Sequence, residues 1–224
     1  GGAYEVLAQA KAENKVGAIG LSSHNPDIAV QAIRTGKFAT LQFPFNFIEN
    51  DPQDKVFRTA REWGMGIIAM KPLGGGLLDR ADLCFRFLQQ YPDVVPIPGI
   101  QSLEEINEII GYYQERRPLG QDDREQMQKI RNELGGRFCH RCEYCMPCEQ
   151  GVQIPYVLLI KSQVRRFSPK QLAFIAKQAV ASVEQCADCG ECVEKCPYHL
   201  PVPDMLKENA DIFKKFLVEQ GLSA

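Results

Sequence analysis

The chain has 224 residues, room for one large domain or two modest ones, and its 45% apolar and 24% charged residues are those of an ordinary globular protein. A net charge of −2 leaves no basic footprint for nucleic acid. No apolar run approaches the roughly 20 residues needed to span a bilayer, which excludes a membrane-spanning helix.

Residues 3–14 read as a helix with Tyr4, Leu7, Ala8 and Lys11 on one face. Gly17 to Leu21 is a short apolar strand, and Ser22-Ser23-His24-Asn25-Pro26 turns into a helix over Asp27–Thr35. Further strands are expected at Thr40–Phe43, Gly66–Met70 and Val94–Ile97. Helices are expected from Asn50-Asp51-Pro52 to Trp63, over 82–90, and over 102–113 behind a capping box of Ser102 and Glu105. Strands alternating with helices imply a parallel sheet, either a small open one or half of an eight-unit barrel. In a barrel the loops after the strands gather on one face and carry the site, here Ser22–Asn25, Pro44–Asn46, Lys71–Gly76 and Pro98–Ser102.

Pro118-Leu-Gly-Gln opens a linker, followed by a charged helix over Asp122–Leu134 that stops at Gly135-Gly136. Eight of the nine cysteines then fall in two runs. The first is Cys139-x2-Cys142-x2-Cys145-x2-Cys148, and the second is Cys186-x2-Cys189-x2-Cys192-x3-Cys196-Pro197. The second spacing is that of bacterial ferredoxins, in which three thiolates wrap one iron–sulfur cubane and the fourth reaches a second cluster. Two such runs predict a crossed pair. Cys139, Cys142, Cys145 and Cys196 would hold one [4Fe–4S] cluster, and Cys186, Cys189, Cys192 and Cys148 the other. The first run departs from the pattern, with x2 before Cys148 and Pro147 ahead of that cysteine.

Zinc is the rival ligand, since four-cysteine sites use similar pairs, but zinc calls for neither the third cysteine nor the x3 step and trailing proline. A disulfide framework suits a secreted chain, and this one shows no secretory signal; free thiols in this number point to a reducing compartment, the cytoplasm. The segment between the runs carries a helix starting at Ser168-Pro169, with Leu172, Ile175, Ala176, Ala179 and Val183 on one side. A last helix, Asp204 to Val218, presents Leu206, Ala210, Phe213 and Leu217. The cluster region is thus expected to be α-helical.

Four motifs in order, Ile19-Gly-Leu-Ser-Ser-His24, Leu41-Gln-Phe-Pro-Phe-Asn46, Ala69-Met-Lys-Pro-Leu-Gly74 and Ile97-Pro-Gly-Ile-Gln-Ser102, resemble successive strand ends in the second half of the aldo/keto reductase barrel. With the cysteine-rich tail, the chain resembles the iron–sulfur branch of that superfamily. The resemblance implies the C-terminal half of a (β/α)8 TIM barrel followed by a small ferredoxin-like iron–sulfur domain. Residues 1–117 would be the half-barrel, 118–137 a linker helix and 138–224 the dicluster domain.

It also implies an oxidoreductase coupling electron transfer through the clusters to a redox reaction in the barrel, with a ferredoxin or a nicotinamide nucleotide as redox partner. Ser22, Ser23 and Gln42 would meet the nicotinamide carboxamide, with Phe45 near the ring. Lys71, Pro72 and Leu73 would run beside the pyrophosphate, and Pro98, Gly99 and Ser102 beside the adenosine. Where the family places an adenine-binding asparagine, this chain has Ile109. Gly99 and Glu105 stand where basic residues would meet a 2′-phosphate, which favours NADH over NADPH. The ordinary alternatives are a helix cap for the serines and an internal hydrogen bond for Gln42.

The family's acid–base residues lie on the first half of the barrel, which this chain, beginning Gly1-Gly2-Ala3 in mid-pattern, is expected to lack. The chain alone is therefore expected to be inactive, needing an N-terminal half-barrel. No residue here takes a family catalytic role. His24, at a strand's C-terminal end, is the one candidate proton donor, its alternative being a rim residue. His140 and His199 flank cluster cysteines and would tune or cover the clusters, whereas Cys84, beside Phe85, Phe87 and Leu88, reads as a small core residue. Without nucleotide binding, the chain would be a pure electron-transfer or interaction module.

Overall fold

Four short apolar runs become the strands of one parallel sheet: β1 (Gly20–Ser22), β2 (Thr40–Pro44), β3 (Gly66–Met70) and β4 (Val94–Ile97), in the order β1-β2-β3-β4. The computed structural model describes residues 2–164 and 167–222. The chain divides into two units, residues 1–131 and 132–224. In the first, helices α1 (Ala3–Ala12), α2 (Pro26–Ile33), α3 (Arg58–Glu62), α4 (Ala81–Leu88) and α5 (Leu103–Gln114) alternate with the strands. Asn25 starts α2, its side chain accepting from the Asp27 and Ile28 N–H groups with Pro26 in the first turn. The run after Pro52 is one element shorter in α-helix than expected, because Gln53–Phe57 winds as a π-turn before α3.

Strands in sequential order joined by right-handed crossovers place every connecting helix on the same face of the sheet. Leu41, Ile67 and Val94 pair across β2, β3 and β4, and with Phe43 and Ala69 they are buried on that face. The opposite face is open along much of its length, although Pro44 and Met70 at its C-terminal end are buried. There Ser22, Gln42, Ile68 and Val95 form one row in register, with Ser22 exposed and Val95 60% exposed, and Ile97 beyond it is 44% exposed. One row below, Gly20, Thr40 and Gly66 pair, and a Cβ on Gly20 would sit 2.3 Å from Thr40 Oγ1, so a larger residue there would have to displace that hydroxyl. Parallel sheets normally have both faces covered. This one, among the described residues, has one face that is largely open and two unpaired edges.

The helix read as a linker, α6 (Gln121–Leu134), is joined to the first unit as far as residue 131. Asp123, buried near its start, receives Arg117 at 2.8 and 3.0 Å, Arg86 from α4 at 3.1 Å and the Gly120 N–H at 2.9 Å. Arg131 Nε donates to the Phe47 carbonyl at 2.7 Å.

Residues 132–224 contain, among those described, helices and turns but no strand: α7 (Ile154–Val157), α8 (Ile160–Gln163), α9 (Pro169–Ala181), α10 (Glu191–Glu194) and α11 (Val202–Glu219). The α11 stripe of Leu206, Ala210, Phe213 and Leu217 is buried as its spacing implies. Leu206 packs with Val152, Ile154 and Val202, and Phe213 and Leu217 with Ile160, Leu172 and Val180. The full capping box lies at α9, between Ser168 and Gln171. At α5 the Ser102 hydroxyl accepts from Glu105 N, but the Glu105 carboxylate takes the Gln101 N–H, so the expected box is half made.

Candidate metal centre and nucleotide-facing loops

The two cysteine runs fold into matching loops. In the first, Arg141 and Glu143 on either side of Cys142 have φ of 53° and 64°; in the second, Asp188 and Gly190 on either side of Cys189 have φ of 50° and 81°. Three of these four are not glycine, and left-handed backbone costs an L-residue about 1–2 kcal/mol. The same hydrogen bond closes each loop: Met146 N donates to Glu143 O, and Val193 N donates to Gly190 O, both at 2.9 Å. Repeated excursions into this region fold the chain around a concavity, the backbone form of many phosphate and iron–sulfur sites.

Around these loops the eight thiols surround two cavities. Cys139, Cys142, Cys145 and Cys196 line one, with His140, Tyr198, Leu158 and Val202 behind them. Cys148, Cys186, Cys189 and Cys192 line the other with Cys145, backed by Ile154 and Leu206. All eight are free thiols, and Cys196 is buried while Cys189 is exposed. Burial, helped by Cys139 and Cys142, pushes the Cys145 thiol up to about 12. Burial, then Cys186, also raises Cys192. Thiols so raised hold their protons at neutral pH until a cation replaces them. Among the described residues no three His, Cys, Asp or Glu side chains close on a point that would hold a single metal ion. The donor chemistry, four soft thiols on an apolar wall, fits an iron–sulfur cluster.

Some residues around these cavities carry no sequence signal of their own. Tyr198 is one: its ring lies face to face with His140, centroids 3.4 Å apart and 10° from parallel. The hint available was positional, an aromatic two residues after the last cysteine and a histidine directly after the first. His199, with φ of 48°, is exposed and does not line either cavity.

In the first unit the loops after β1 and β3 meet: Lys71 Nζ lies 2.8 Å from His24 Nε2. Lys71 is itself left-handed, at φ 55°, and the fully buried Asn46 donates to its carbonyl at 3.1 Å. Asn46 also donates to Glu49 and accepts the Ile48 and Glu49 N–H groups, a buried knot in the β2 loop. Gln42 Nε2 reaches Ser22 Oγ at 3.5 Å and Met70 Sδ at 3.7 Å, so this face row is loosely joined. Ser23 is buried and stabilises the turn by exchanging hydrogen bonds with the Asn25 backbone, while the helix cap is Asn25 itself.

Phe45 is placed differently from the expectation. It is 0% exposed, packed on Phe57, Phe87 and Tyr91 at 4.8–5.3 Å, and its ring is not offered to a ligand. A strand-end aromatic flanked by Phe43 and Phe47 completes the core here. Pro72 is buried, Leu73 and Pro98 are half-buried, and Gly99 and Ser102 are exposed. Cys84 is enclosed, and burial pushes its thiol far up, as befits an inert core residue.

Residues 2–83 match the family model of the aldo/keto reductases, and residues 138–200 match that of the 4Fe-4S dicluster domain. Among solved structures, the aldo-keto reductase AKR11C1 from Bacillus halodurans in its holo form is similar at 16% identity and a TM-score of 0.47, over 57% of this chain and 54% of that one. The thermostable aldo-keto reductase Tm1743, in complex with the inhibitor epalrestat, is similar at 18% identity and a TM-score of 0.45, over 57% of this chain and 53% of that one. The chain thus spans about half the length of these structures. No curated protein matches it. Four parallel strands form a fold resembling part of an aldo/keto reductase barrel, and the chain joins a segment that matches the aldo/keto reductase family model to one that matches the 4Fe–4S dicluster domain model.

Proposed function

We propose that this chain is part of an iron–sulfur oxidoreductase of aldo/keto reductase type, in which two [4Fe–4S] clusters pass electrons to or from a redox site on the barrel segment. The observation that carries this reading is the division of eight thiols between two cavities. Cys139, Cys142, Cys145 and Cys196 hold one cluster. Cys148, Cys186, Cys189 and Cys192 hold the other. When bound, the clusters supply one-electron transfer; the thiols give up protons to ligate them, and apolar side chains wall the inner side of each cavity.

On the barrel segment, Ser22, Ser23 and Gln42 face a nicotinamide carboxamide, Lys71, Pro72 and Leu73 a pyrophosphate, and Pro98, Gly99 and Ser102 an adenosine. NADH is the nucleotide, because Glu105 and Gly99 offer a 2′-phosphate no positive charge. His24, with Lys71 donating to its Nε2, is the candidate group to hand a proton to substrate. Phe45 takes no part. The largely open sheet face and unpaired edges call for a second half-barrel, which would bring the remaining acid–base residues. Residues 1–117 form the barrel segment, 118–137 a connecting helix that packs with that segment as far as residue 131, and 138–224 the dicluster domain, in a reducing, cytoplasmic setting.

Anaerobic purification with iron and sulfide analysis and a visible spectrum tests the cluster assignment. Isothermal titration of the whole chain with NADH, with and without a supplied N-terminal half-barrel, tests the nucleotide assignment. Among the described residues no helix is long and apolar enough to cross a membrane.

A further inference from the structure

The two thiol-lined cavities differ in cover. The first contains the buried Cys196 and is walled by His140, which is 9% exposed, and by the half-buried Tyr198 stacked on it at 3.4 Å. Phe138, also buried, meets His140 edge to face at 5.0 Å and backs the stack. Among the described residues no aromatic lines the second cavity, and its Cys189 is exposed.

The stack also joins distant parts of the chain. His140 directly follows Cys139, at the start of the first run; Tyr198 follows Cys196 and Pro197, at the end of the second. Cys196 is the one thiol of the first cavity that comes from the second run, and the stack ties its turn to Cys139, at the start of the first. For the first site to open, the loop carrying Cys139 and the turn carrying Cys196 must part, and the His140–Tyr198 contact must break with them. The loop Cys142–Cys145 needs no such contact, because its own backbone hydrogen bond holds it.

We infer that the His140–Tyr198 stack is a clamp which closes the first cluster site and makes it the retentive one of the pair, leaving the Cys189 site as the one that exchanges iron with solvent. The inference rests on the cluster reading above. His140 and Tyr198 act as positioning residues: they set how fast the site opens, not what ligates the iron.

The test follows iron release from the anaerobically reconstituted full chain into a strong ferrous chelator. Cys142→Ser and Cys189→Ser, each disabling one site, assign the phases by their EPR signals after reduction. Wild type should release iron in two phases of about four atoms each, the fast one from the Cys189 site. Tyr198→Leu and His140→Leu should speed the slow phase about threefold to tenfold, the equivalent of one aromatic contact, and leave the fast phase unchanged. Tyr198→Phe keeps the ring and should release iron at the wild-type rate. A Tyr198→Leu protein that loads only the Cys189 site gives the same result in stronger form. Full iron with an unmoved slow phase, a slow phase sped equally by Tyr198→Phe and Tyr198→Leu, or a fast phase from the first site would overturn the clamp alone. A starting protein without iron would overturn the cluster reading and the clamp with it.

Discussion

Cys148 stands three residues after Cys145 in the chain, yet only Cys145 is shared between the two cavities; Cys148 lines the second alone, beside Cys186, Cys189 and Cys192. Cys196 makes the reverse exchange and lines the first. Each run thus sends its last thiol across to the other's cavity.

From that exchange, Cys189→Ser should lose about half of the iron or collapse the domain, since a cubane held by four thiolates loses an exposed corner. Cys84→Ser should keep all of it, because Cys84 lies in the first unit's core and lines neither cavity. Iron analysis of the two variants side by side checks this.

The left-handed loop positions predict changes of opposite sign. Gly190→Ala should destabilise residues 132–224 by about 1–2 kcal/mol, purely through the backbone, since nothing lies within 4 Å of the added Cβ. Glu143→Gly, at the matching position of the first loop, should be neutral to stabilising by up to about 1 kcal/mol. Denaturant midpoints of the reconstituted protein give the comparison.

A second stability prediction concerns pH. Burial of Asp123 opposes its ionisation, but the Gly120 N–H and the Arg117 and Arg86 guanidinium groups outweigh it and hold the carboxyl below its usual 3.8. The folded value is depressed, so the contribution is fully present above the unfolded value. It is lost as pH falls through the folded one. The first unit should therefore be insensitive to pH between about 5 and 7 on this account and weaken below about pH 4. Asp123→Ala should cost about 2–3 kcal/mol at pH 7, by leaving Arg86 without its buried partner, and should flatten the acid limb. Thermal melts against pH measure both.

Much of this architecture could be read from residue patterns. β3 and β4 coincide with their apolar runs, and the α11 stripe with its buried face. The short pieces α7, α8 and α10, four residues each, were not legible, because one helical turn carries no period to detect. The packing of Phe45 on Phe57, Phe87 and Tyr91 was not legible either, because periodicity cannot tell an aromatic that lines a site from one that fills a core. The cysteine spacing disclosed which thiols could group, but the left-handed Arg141, Glu143 and Asp188 are set by the loop as a whole and leave no mark on residue type.

The proposed nucleotide site makes a discriminating prediction. A complete protein with both half-barrels should bind NADH more tightly than NADPH, because the Glu105 carboxylate, already 2.6 Å from Gln101 N, repels a 2′-phosphate. Glu105→Lys should narrow or reverse the preference. Tighter NADPH binding by the unaltered protein would refute the mapping.

The largely open sheet face bears on activity. With Val95 and Ile97 exposed on it, the 224-residue chain should show no aldehyde turnover with NADH, even with its clusters rebuilt. Supplying four further βα units should restore nucleotide binding. Robust turnover by the isolated chain would show that the barrel segment works without a second half.

The measurement closest to the central claim is metal and sulfide content of anaerobically prepared protein, read with its visible and EPR spectra. The account predicts a brown protein with about eight irons and eight sulfides per chain, whose reduced form gives the signals of two interacting [4Fe–4S] clusters. A colourless protein carrying stoichiometric zinc and no iron would contradict it.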